Sequence, residues 1–188
     1  DGGNLAAFLL ALRDARPKYY RRIVESVRQM APFFDDFVLA ESGGAVALRW
    51  REFDSDMVFD AAAASDGLLR LWALTAALLQ PLDLMPPLLI FDEPELGLHP
   101  HAIVIIGGMI RAAAVDRQVI VATQSPLLLD QFAVDDVIVA ERAGRATAFH
   151  RLDRAALREW LEDYTLGDLW RKNVLGGQPE GGPEGDLR

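Results

Sequence analysis

Leu88-Leu89-Ile90-Phe91-Asp92-Glu93-Pro94-Glu95-Leu96-Gly97-Leu98-His99-Pro100 runs four large apolar residues straight into two adjacent carboxylates. An uninterrupted apolar run closed by turn-forming residues predicts a strand buried on both faces, as in a parallel sheet. Such a strand brings Asp92 and Glu93 to its carboxyl end, the edge at which open α/β sheets hold their ligands. Two neighbouring acids are expensive to bury without a cation or a proton between them. By itself the dipeptide fits a solvated acidic turn at least as well, so its meaning comes from the residues around it.

Downstream, Pro100 opens a helix from about His101 to Ala114, although Gly107-Gly108 weakens it. Gln118 to Ala122 reads as a second buried strand, and Ser125-Pro126 starts a short helix to Phe132. Asp136–Ala140 and Thr147–Leu152 pair as strands about an Ala143-Gly144 turn. Asp153 caps a helix to about Tyr164, with Leu152 and Leu157 as a hydrophobic staple. Residues Gly176 to Arg188 are rich in Gly and Pro and read as a disordered tail after a single lobe spanning 1–175.

Upstream, Asn4 caps a helix through Leu5, Phe8, Leu9 and Leu12, and Pro17 precedes a second helix, Lys18 to Met30, whose core face is Tyr19, Ile23, Val27 and Met30. The Lys18, Arg21 and Arg22 cluster could meet phosphate, but a solvated helix face is the favoured reading. Phe37–Ala40, a Gly43-Gly44 turn, Ala45–Phe53 and a short Met57–Phe59 strand form an antiparallel meander. Ser65 then caps a long helix to about Leu79 that buries Leu68, Leu71, Trp72, Leu78 and Leu79.

With the elements in order, the acidic run acquires neighbours. Asp92-Glu93-Pro94-Glu95-x-Gly97-Leu98-His99-Pro100 resembles the Walker B and D-loop of ABC-type ATPases. Ala64-Ser65-Asp66-Gly67-Leu68-Leu69-Arg70 is similar to the signature motif of their soluble branch, the RecF, SMC and overcoming-lysogenization-defect proteins. Ala122-Thr123-Gln124-Ser125-Pro126-Leu127-Leu128-Leu129 is similar to the switch segment of that branch, and the three motifs stand in the family's order across most of the chain.

The resemblance implies an α/β fold, a partial P-loop NTPase domain with a mainly parallel central sheet flanked by helices and added antiparallel hairpins. It implies ATP and Mg²⁺ as cofactors. Asp92 is the metal ligand, usually through water, and Glu93 the residue that polarises the attacking water. Ser65, Asp66 and Gly67 meet the γ-phosphate held by the opposite subunit of an ATP-sandwich homodimer. Asp66 stands where most ABC proteins have a first glycine, as is common in this branch. Gln124 replaces the usual switch histidine; its amide donates a hydrogen bond but carries no charge. His99, in place of the D-loop aspartate, serves either a dimer contact or the cap of the following helix.

No G-x-x-x-x-G-K-[ST] sequence occurs, so the loop and lysine that grip a triphosphate are not in these residues. With the resemblance, that predicts the carboxyl-terminal part of a larger ATPase, inactive alone, whose missing N-terminal lobe carries the P-loop. Its own sheet should then be incomplete, with an exposed edge or apolar patch where that lobe packs.

Composition fits one substantial core: 188 residues, 51% hydrophobic, with no cysteine for disulfides or thiolate metal sites. No transmembrane segment or secretory signal is expected, and the lack of cysteine fits a reducing compartment, so a cytoplasmic location is expected. A net charge of −9 argues against a broadly basic nucleic-acid-binding face, leaving DNA as a partner through the parent protein. The implied process is nucleic-acid maintenance or defence against phage. The competing function class is a non-catalytic interaction or regulatory module built on the same fold. A fused nuclease domain, as some relatives carry, is not expected within these residues.

Overall fold

The computed structural model describes residues 2–177. The chain forms two compact units, Asp1–Thr123 and Gln124–Arg188.

The first unit opens with two helices, α1 (Leu5–Ala15) and α2 (Pro17–Met30). Asn4 precedes α1 without donating or accepting a side-chain cap bond, so its N-terminus lacks the predicted lock. Pro17 sits at the start of α2, where its missing N–H costs nothing. The buried face of α2 is Tyr20, Ile23, Val24, Val27 and Met30. Tyr20, not the expected Tyr19, turns inward, and its hydroxyl donates to Asp36 Oδ1 at 2.7 Å. Burial, reinforced by that bond to a carboxylate, pushes the Tyr20 hydroxyl far above its usual pKa.

Three antiparallel strands follow in sequence order, β1 (Phe34–Ser42), β2 (Ala45–Glu52) and β3 (Val58–Asp60). Gly43 and Gly44 both have positive φ and close the tight turn between the first two. The long helix α3 (Asp66–Leu79) buries all five residues the sequence assigns to its core face. Trp72 is fully buried among the rings of the antiparallel sheet. Its ring centroid lies 5.3 Å from Phe37, 5.7 Å from Phe34 and 5.7 Å from Trp50. Edge-on and tilted contacts of this kind set the rings' positive edges against negative faces.

A second, parallel sheet consists of β4 (Leu88–Asp92) and β5 (Gln118–Ala122), joined by helix α4 (Pro100–Ala113). Their register runs from Leu88 opposite Gln118 to Asp92 opposite Ala122, so both strands end at one level. The fold is therefore mixed α/β, but the parallel sheet has two strands and is outnumbered by antiparallel ones among the described residues. The expectation of a strand buried on both faces also fails. Leu89 is buried, whereas Leu88 is 39% exposed, Ile90 66% and Ile120, the register partner of Ile90, 47%. Helix α4 supplies Ile103, Ile106 and Ile110 to the core, and the opposite side of the sheet has no cover in this unit.

In the second unit, α5 (Pro126–Leu129) leads to the hairpin β6 (Ile138–Ala143) and β7 (Ala146–Arg151), followed by α6 (Trp160–Asp163) and α7 (Leu166–Arg171). Its small core joins Val134, Val139, Leu157, Leu166, Leu169 and Leu175. The long helix expected from Asp153 is instead a run of turns ending in the short α6. Asp153 Oδ1 does accept from Ala155 N at 2.8 Å, but the bond closes a turn without propagating a helix. The unexpected helix is α7, where Thr165 and Asp168 form a reciprocal capping box. Hydrogen bonds from Arg171 and then Thr165 hold the Asp168 carboxyl below the usual carboxylate range. Most of the tail expected to be disordered, 178–188, lies outside the described residues; its first two glycines are placed, with Gly177 N donating to Glu141 Oε1 at 2.7 Å.

Candidate functional site

The carboxyl ends of β4 and β5 carry the acids. Asp92 is the last residue of β4 and is exposed, while Glu93 is half-buried. The anticipated penalty for two buried acids does not arise, because the uncovered sheet face leaves Asp92 in water. Glu93 N extends the ladder by one bond to Ala122 O, 2.8 Å. The next step departs from strand geometry: Glu93 has φ +44°, a left-handed conformation that a β-carbon disfavours. Strain of this type persists where surrounding contacts over-determine it.

Those contacts come from α3. Arg70 Nη1 donates to the Leu96 carbonyl at 3.0 Å and to the Glu93 carbonyl at 3.3 Å. One turn earlier in α3, Gly67 lies against Gly97 so closely that a β-carbon on Gly67 would stand 2.2 Å from the Gly97 carbonyl oxygen. Gly97 itself has φ +77°. Backbone thus meets backbone, and the amino end of α3 and the turn after β4 form one block. The resemblance implies a phosphate-approach role for Gly67; the structure gives it this contact.

Ser65 caps α3 by accepting from Leu68 N at 3.2 Å. The first N–H groups of α3 have no intrahelical acceptor and stand at the positive end of the helix dipole. Asp66 occupies the first helical position. His99 is the N-cap of α4: its Nδ1 accepts from His101 N at 3.2 Å. Of the two roles open to His99, the capping one is present in this chain.

Ser65, Asp66, Gly67, Asp92, Glu93 and His99 all belong to the first unit; Gln124 opens the second and is exposed. Sequence reasoning assigned no role to three further residues. One is Arg70. The others are Glu95 and Thr123: Glu95 is 7% exposed, and its Oε1 accepts the Thr123 hydroxyl proton. The clustering of Glu95 with Asp92 and Glu93 was the available signal.

No group of three or more His, Cys, Asp or Glu side chains arranged to hold a metal ion occurs among the described residues. Asp92 suits Mg²⁺ in a narrower sense, because that ion commonly takes one or two carboxylates and completes its shell with water and substrate phosphates. No helix among the described residues is long and apolar enough to cross a membrane.

Residues 4–130 match the AAA_21 family, an AAA domain described as "putative AbiEii toxin, Type IV TA system". The chain belongs to this ATPase-domain family. Its fold is that of SMC heads. One similar structure comes from work on ATP-driven dimerization and DNA-stimulated activation of SMC ATPases, with TM-score 0.60, 18% identity, and coverage of 82% of this chain and 94% of that one. A second is the Smc head domain of Pyrococcus furiosus, with an extended coiled coil and bound to the C-terminal domain of ScpA: TM-score 0.63, 17% identity, 82% of this chain and 39% of that one. A third is the Pyrococcus yayanosii Smc head with a coiled coil and joint: TM-score 0.60, 17% identity, 77% of this chain and 28% of that one. The chain thus spans well under half of the two longer heads. No curated protein matches it.

Proposed function

We propose that this chain supplies the Walker B, D-loop, signature and switch elements of an ATP-hydrolysing dimer, in a protein whose P-loop lies on another lobe. The observation that carries the reading is the block formed by the amino end of α3 and the turn after β4, joined through Gly67, Gly97 and Arg70. It sets the signature-like helix end and the acidic strand end in a fixed relation, as a protein acting on two nucleotides across a dimer needs. The exposed Leu88, Ile90 and Ile120 give the P-loop lobe an apolar face to cover.

In this reading Asp92 holds Mg²⁺ through water, and the ion neutralises charge on the phosphates. Glu93 accepts a hydrogen bond from the attacking water and draws its proton. Ser65 and the first N–H groups of α3 donate to the γ-phosphate held by the partner subunit. Gln124, following the strand beside the acidic one, donates to a γ-phosphate oxygen as a neutral group, so its contribution does not titrate. The process served is nucleic-acid maintenance or defence against phage, with DNA contacted by the parent protein.

Replacing Glu93 with Gln in the complete protein tests this directly. Turnover should fall by about 10²-fold or more while ATP still binds, because the amide keeps the shape and loses the base. Turnover within a factor of a few of wild type would remove Glu93 from the chemistry and favour a non-catalytic module.

A further inference from the structure

Glu95 is the one buried acidic side chain among the described residues, and the chemistry above makes no use of it. Asp92 and Ala122 are register partners, so the chains leave β4 and β5 at one level. Past that level the Glu93 N–H still bonds the Ala122 carbonyl. The Glu95 carboxylate then reaches across to the Thr123 hydroxyl. Its own carbonyl accepts from Leu98 N at 3.0 Å, which fixes the turn that carries it. The second carboxylate oxygen, Oε2, is buried with no hydrogen-bond partner. An acid with an unsatisfied oxygen is a costly way to fill space, and an apolar residue would pack there without that cost. What the carboxylate does that an apolar residue would not is hold Thr123, the residue directly before Gln124.

We propose that Glu95 is a positioning residue. It clamps Thr123, the residue directly before Gln124, to the turn after β4 that carries Glu93. The two strand ends would then move as one when nucleotide is bound, and loosening the clamp would slow the chemical step without weakening nucleotide binding. This inference rests on the ATPase reading for its kinetic part only; the clamp itself is a property of the chain.

The experiment combines steady-state ATPase kinetics of the complete protein with amide hydrogen exchange over residues 93–98 and 120–125. Thr123→Val keeps the shape and removes the hydroxyl. It should lower kcat about 10-fold with KM within about 2-fold, the pattern of an interaction exerted in the transition state. Exchange should rise at Glu93 and Gln124 with the melting temperature little changed. Thr123→Ser, which restores a hydroxyl, should return both quantities towards wild type. Glu95→Gln retains an acceptor for that hydroxyl and should behave like wild type in exchange, whereas Glu95→Ala should mimic Thr123→Val. Unchanged exchange in Thr123→Val, or a loss that Thr123→Ser does not rescue, overturns the clamp. If the wild-type protein hydrolyses no ATP, the ATPase reading falls, and the exchange pattern alone still decides the clamp.

Discussion

The first unit contains two sheets that are finished to different degrees. The antiparallel sheet β1–β3 is sealed: Phe34, Phe37 and Trp50 meet Trp72 of α3, and all four are buried. The parallel sheet β4–β5 has α4 beneath it and leaves Leu88, Ile90 and Ile120 in water. The candidate chemistry sits on the second. The difference separates two jobs within one unit. The aromatic layer holds α3 in place, and α3 in turn holds the turn after β4 through Gly67 and Arg70. The sheet that carries the acids therefore borrows its rigidity from the neighbouring sheet.

The largest effect that would break this comparison is at Trp72. Trp72→Ala should destabilise the chain by about 3–5 kcal/mol, the range for deleting a fully buried aromatic. Ile90→Ser on the uncovered face should change stability by no more than about 0.5 kcal/mol. Urea unfolding of the 188-residue chain measures both. Similar losses from the two substitutions would mean that the parallel sheet is packed as tightly as the antiparallel one.

An intermediate effect belongs to the joint between α3 and the post-β4 turn. Gly67→Ala places a methyl group 2.2 Å from a backbone carbonyl oxygen. A backbone cannot step aside as a side-chain tip can, so the cost should be about 3 kcal/mol, at the upper end for overpacking. The same denaturation assay reads it. A neutral substitution would show that the helix end and the turn are free to part.

A smaller loss than at the joint is expected at Tyr20, beside the sealed sheet. Tyr20→Phe removes the hydroxyl bond to Asp36, a loss of about 1.5 kcal/mol at neutral pH for a bond to a charged group. Because the folded pKa of Tyr20 is raised, its contribution is whole below the unfolded value, near about 10, and drains away as pH rises beyond it. Wild type should therefore lose its advantage over Tyr20→Phe in alkaline solution. A difference that stays constant from neutral pH to pH ~11 would contradict the assigned cause.

Legibility in the sequence followed the same division. Where local pattern and capping agree, the sequence reads well: α3 starts after Ser65 and buries the five expected side chains, and the Gly43-Gly44 hairpin is where alternation puts it. The parallel pairing of β4 with β5 was also legible, because two apolar runs flank a proline-started helix. The exposure of individual strand residues was not. Ile90 looks like a core residue in sequence because its face is apolar, and only the arrangement of neighbouring elements reveals that nothing in this unit covers it. Tyr19 and Tyr20 are adjacent on a helix, and a rotation of one residue decides which is buried. Thr165-x-x-Asp168 spells the capping box of α7, but the Asp153 turn upstream has the same local signal for a helix start and predicts the helix too early. At the site, residue types in motif order pointed to Asp92 and Glu93, but Arg70, Glu95 and Thr123 matter through contacts between segments distant in sequence, which no local pattern encodes.

The central claim is that the helix end capped by Ser65 acts on a nucleotide held by a second subunit. Light scattering on the complete protein, with and without ATP and Mg²⁺, tests it most directly in a background carrying Glu93→Gln to slow hydrolysis. The account predicts ATP-dependent dimers in that background and monomers when Ser65→Arg is added. Nucleotide binding by each subunit should survive, because Ser65 does not grip its own subunit's ATP. Dimers that form normally in the Ser65→Arg protein would contradict it.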